Sequence, residues 1–246
     1  MTIPLAQAGA DAGTTVVRFV GSGLLAVSAA VFGFYALRNL QLNRLESQRP
    51  FWRYLVSIGF AGVLYGALGV AGTLSSERWL VALGHAALLF YTVFLAFAMR
   101  ELYYNSALAP PPDERRIPLS RLRRIELGFV GIILLELSVV LLLGHGSVVA
   151  VVKGVGSVSF AVYGVVFGER LESLTRGTSV DTLRRHLLPV LVCAGLLGFA
   201  DLGVHVGLGP LVVESIESVF VVMIGAFLLT ATIRLQQNVS GLSGGR

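Results

Sequence analysis

The chain has 246 residues, of which 55% are hydrophobic and only 13% charged, with a mean hydropathy of +0.79. Soluble domains carry about 25% charged residues, so this composition excludes an ordinary cytosolic enzyme, a disordered tail and a coiled coil, and points to an integral membrane protein. A single cysteine, Cys193, excludes a disulfide scaffold and cysteine-based zinc or iron–sulfur sites, which need several thiolates. The net charge of +5 would suit nucleic acid, but the arginines fall between apolar runs. There they act as topology signals. The lipid bilayer, not nucleic acid, is the expected partner.

A spanning helix needs about 20 predominantly apolar residues, and seven such runs follow one another. Met1–Gly13 is polar and lacks a basic n-region, so residues 1–14 read as a short tail. The first span is predicted over 15–39. The second, 52–74, starts at Trp52. The third, 79–101, starts at Trp79, carries His85 and leads to Tyr103 and Tyr104; these four aromatic residues read as interfacial anchors. The fourth, 125–145, carries Glu136, and the fifth, 147–168, carries Lys153. The sixth, 187–207, has Pro189 in its first turn and carries Asp201 and His205. The seventh, 211–234, carries Glu214 and Glu217 and ends the membrane domain at about residue 235. The glycine- and serine-containing stretch 236–246 reads as a mobile cytoplasmic tail. The fold class is an all-α bundle of seven transmembrane helices, with no soluble domain and no internal repeat.

Lys and Arg mark the cytoplasmic side. Of the 19 basic residues, 16 fall on one side, in clusters such as Arg38–Arg53, Arg115–Arg124 and Arg170–Arg185. Only Arg18, Arg78 and Lys153 remain for the other. The N-terminus is therefore expected outside, the C-terminus in the cytoplasm, and the protein in the cell membrane. The outer connections, including a Gly-His-Gly hairpin at Gly144–Gly146, are too short to build an extracellular domain. His145 in that hairpin reads as a helix cap, and His186, beside Arg184 and Arg185, as part of a basic cytoplasmic face.

An ionisable side chain at the centre of a span costs about 2.5–3.5 kcal/mol and is by default a functional hypothesis. Here His85, Lys153, Asp201 and Glu217 lie about 9 Å from the outer ends of their helices, Glu136 about 13 Å, and His205 and Glu214 nearer the surface. The inner half holds almost none apart from Glu126. Asp201 and His205 are four apart, Glu214 and Glu217 three apart, so each pair shares a helix face. These seven residues are the candidate ligand, ion or proton site, with His85, Asp201, His205 and Glu217 also chemically suited to a metal ion. Lys153, the only lysine, suits Schiff-base or proton-transfer chemistry as well as a plain ion pair with Glu136 or Asp201. No Gly-x-Ser-x-Gly, Walker or His-Glu-x-x-His pattern occurs, so no catalytic residue is assigned.

Seven spans, short outer turns and an external N-terminus resemble the microbial rhodopsins. In that family an Asp on the last helix is followed four residues later by the retinal-binding Lys. Here those places hold Glu214 and Ser218, which excludes a retinal Schiff base at the usual position. The resemblance implies an opsin-like sensory or receptor protein, with a basic inner face for a signalling partner and a possible homo-oligomer. A second likeness is to ceramidase-like membrane hydrolases, for which His85, Asp201 and His205 would be the metal ligands; Glu214 and Glu217 stand where that family has histidines. An ion- or proton-coupled transporter is the third reading.

Overall fold

The computed structural model describes residues 5–43, 46–75, 77–104, 119–143, 147–175 and 179–244. His145, Ser76, the Pro110–Pro112 connection and Arg115–Arg116 lie outside them. Eight α-helices are present among the described residues: α1 (Leu5–Leu42), α2 (Arg49–Gly72), α3 (Arg78–Tyr104), α4 (Leu119–Leu143), α5 (Ser147–Thr175), α6 (Ser179–Ala200), α7 (Leu202–His205) and α8 (Pro210–Gly244). Seven contain stretches long and apolar enough to cross a bilayer, α7 being a single turn that continues the sixth span. Large apolar side chains such as Val27, Phe60, Leu127 and Leu142 are mostly exposed on the outside of the bundle. In water such a surface would aggregate; in lipid it is at no disadvantage. This is the architecture of a multi-pass membrane protein.

The helices run alternately up and down. α1 packs on α2 and α8, α3 occupies the centre against α2, α5 and α6, and α6 closes the circuit onto α8. α4 stands apart. Among the described residues it touches only α3 and α5, and only 17% of its apolar window is buried, against 67% for α3.

Lipid supplies no hydrophobic drive between helices, so close packing rests on small residues. Gly59 and Gly66 of α2 show this: a methyl group on Gly59 would collide with the backbone of Gly33, and one on Gly66 with the backbone of Ser22 and Ala26. Toward mid-height Ala29, Ala61, Tyr91, Phe160, Ala194 and Ile224 are all nearly or fully buried in the bundle.

Several boundaries differ from the sequence expectation. α1 begins at Leu5 and α8 continues to Gly244, so the described parts of both predicted tails are helical. α6 begins at Ser179, which places Pro189 inside the helix and not in its first turn. The polar turn around Asp181 carries the helix on: Asp181 accepts from Arg184 at 3.0 Å and from Arg185 at 2.9 Å. Arg184 is buried and also donates to the Gly168 carbonyl at 3.3 Å, so it does not belong to a solvated basic face. Trp52 is likewise buried beside Phe51 and is not an interfacial anchor. Between α7 and α8 the chain reverses at Gly207, whose φ of 94° favours glycine. Pro210 then opens α8, where its missing N–H is harmless.

Candidate functional site

The starts of α1, α3, α5 and α8 and the ends of α2, α4 and α6 lie at one end of the bundle, called here the N-terminal end. A cavity of about 410 Å³ opens there, with Arg18, His85, Lys153, Asp201, Glu214 and Glu217 in its wall. Tyr65, Ser22 and Ser218 line it as well.

Two buried polar contacts organise this wall. Lys153 of α5 forms an ion pair with Asp201, which sits in the turn ending α6. Glu217 of α8 lies within hydrogen-bonding reach of Asp201. Two carboxyls at that range repel one another when both are ionised, and the Lys153 ammonium beside Asp201 offsets part of that repulsion. Arg18 of α1 is close enough to Glu217 and Tyr65 to act on both electrostatically. On the far side of α3, His85 Nδ1 lies 2.8 Å from Glu136 Oε1. Glu136 is fully buried and is not part of the cavity wall; its Oε2 has no hydrogen-bond partner among the described residues.

The seven candidate residues thus divide. His85 with Glu136, and Lys153 with Asp201 and Glu217, form two neighbouring polar groups drawn from α3, α4, α5, the α6 turn and α8, near enough to act on one another electrostatically. Glu214 lines the cavity but is exposed. His205 is exposed and absent from the wall, contrary to the expectation that it shares a pocket face with Asp201. The reason is local. Helix α6 ends at Ala200, and the single turn of α7 carries His205 beyond the layer to the bundle end. Among the described residues no three His, Cys, Asp or Glu side chains are arranged to hold a metal ion.

Sequence reasoning missed Arg18, three residues into the first predicted span and so nearer its outer end than the layer, and Tyr65. It also missed a second charged group at the opposite end. Arg100 is buried, 2.7 Å from Glu126 and 3.0 Å from Glu101. Tyr163 donates to Glu126 at 3.3 Å, and Arg100 reaches the Tyr54 hydroxyl at 3.4 Å. The expectation of a nearly uncharged inner half is therefore corrected: Arg100 stands at a helix end in the sequence, but the helix runs on to Tyr104 and takes the guanidinium into the bundle. No protein family matches this chain, and no curated protein is detectably similar to it.

Proposed function

We propose that the chain is a membrane sensor of receptor type, binding a small charged ligand in the cavity at its N-terminal end. The observation that supports this reading is the wall itself. Within about 410 Å³, in the range of small-molecule sites, cations on α1 and α5 face carboxyls from the α6 turn and α8. Below it the helices close on the tightly packed mid-height layer. A cleft open at one end and sealed beneath suits binding better than passage. The bias of basic residues toward the other end supports an extracellular cavity and a cationic inner face open to a signalling partner. The opsin-like reading is part of this proposal and rests on helix number and short connections alone.

The test is thermal stabilisation of the purified protein by a panel of glutamate, lysine, betaine and spermidine. At least one should raise the melting temperature, and the combined Glu214→Gln and Glu217→Gln change should abolish the effect. A panel of anions, cations and zwitterions without one stabilising member counts against the reading.

A carrier is the second reading, favoured by one observation: the Arg100–Glu126 group puts buried charge at the other end as well.

A further inference from the structure

Glu136 is sealed from the cavity, while His85, its partner, lines the cavity and keeps 13% of its side chain exposed. An imidazole therefore stands between cavity solvent and a buried carboxyl. Few charged groups face the pair. Lys153 approaches from α5 but is held by Asp201, and Asp201 lies on the His85 side. Across the cavity stand Arg18, Tyr65, Glu214 and Glu217. A buried carboxylate with one unpartnered oxygen is costly. One proton shared between imidazole and carboxyl leaves the pair neutral overall, whichever atom holds it; its loss leaves one net negative charge on the pair, with Glu136 buried.

The placement of the pair gives that proton a mechanical consequence. α4 touches only α3 and α5 among the described residues, and little of it is buried. Among the described residues its ionisable ties to the bundle include Glu126 with Arg100 and Tyr163 at one end, and Glu136 with His85 at the other. Between them Phe129 packs against Phe160 and Phe97. Loosening the Glu136 tie would leave the cavity-side, C-terminal end of α4 held, among the described residues, mainly by apolar contacts such as Val140 with Ala82 and Val149, for which lipid competes.

We propose that His85 and Glu136 form a proton-binding latch: the proton shared between them fastens the cavity-side, C-terminal end of α4 to α3, and it enters and leaves through the cavity by way of His85. When it leaves, it passes to cavity water, the pair goes from neutral to a charge of −1, and the carboxylate is solvated by displacement of α4. The inference deepens the sensory reading and rests on it for the route to His85. It makes the proton a ligand of this bundle and α4 the element that responds.

The experiment uses the full chain in lipid nanodiscs and no ligand other than the proton, so its outcome is separate from that of the stabilisation panel. Infrared difference spectra across a pH titration should contain a carboxyl band that vanishes in Glu136→Gln and survives in Glu217→Gln. Spin labels at Leu83 and Leu141, both exposed at this end of α3 and α4, should move apart as the proton is removed. In Glu136→Gln, whose amide keeps a hydrogen bond but does not titrate, their separation should stay fixed. His85→Asn supplies a second variant: the band should shift and the pH response of the labels should be lost. The proposal is overturned if no titrating band depends on Glu136, or if the labels respond to pH equally in the native chain and in both variants.

Discussion

Arg100 of α3 and Glu126 of α4 meet at 2.7 Å at the end of the bundle opposite the cavity, with the arginine side chain only 7% exposed. The pair ties the loosest span to the most buried one. Replacing Arg100 by Met removes the cation shared by Glu101 and Glu126, and loss of one partner from a buried pair costs about 3–5 kcal/mol. Glu126→Gln leaves Arg100 its contact with Glu101 and should cost about 1 kcal/mol. Melting curves in detergent compare the two; equal losses would show that the ion pair is not what holds α4 here.

At the cavity, Lys153 pairs with Asp201, whose carboxyl also lies within hydrogen-bonding reach of Glu217. Lys153→Met should lower stability by about 3 kcal/mol at neutral pH, since it leaves like charges buried together. The loss should be smaller in acid, where protonation removes the repulsion. Adding Asp201→Asn to Lys153→Met should recover more than half of it. A double variant no more stable than Lys153→Met would mean that the pair contributes through packing and not through charge.

The α1–α2 contact makes a steric prediction. Gly59→Ala places a methyl group against the Gly33 backbone and must push the helices apart, whereas Gly23→Ala meets open space. The first should lower the melting temperature by several degrees and the second should leave it unchanged or slightly raised, because alanine favours helix over glycine. Similar effects from both would place the α1–α2 interface elsewhere.

The sequence was most legible where one physical rule dominated. Seven apolar runs had to become helices, because every backbone polar group must be satisfied within the lipid. The cost of ionisable groups in spans pointed to His85, Glu136, Lys153, Asp201 and Glu217, which the structure brings together. Helical spacing failed at His205, because a face argument assumes one continuous helix and α6 stops at Ala200. It also failed at Arg100 and Arg184, where charge at the edge of an apolar run looked solvated. Whether such a residue turns inward depends on its partners on other helices, Glu126 and the Gly168 carbonyl, and one-dimensional spacing does not reveal those.

The basic-residue bias makes a prediction about orientation. A cysteine at Gly209, in the turn before α8, should react with an impermeant thiol reagent added to intact cells, and one at Gln236, near the other end, should not; both positions are exposed. The native Cys193 is buried and should stay silent. The reverse pattern would put the cavity on the cytoplasmic side.

If the N-terminal cavity binds without conducting, a sealed membrane that holds the protein stays tight to protons and ions. The purified protein, reconstituted in liposomes with a pH or salt gradient, should carry protons and ions no faster than empty vesicles. Flux above that background, abolished by Asp201→Asn, would contradict the claim and establish a transport path through the bundle.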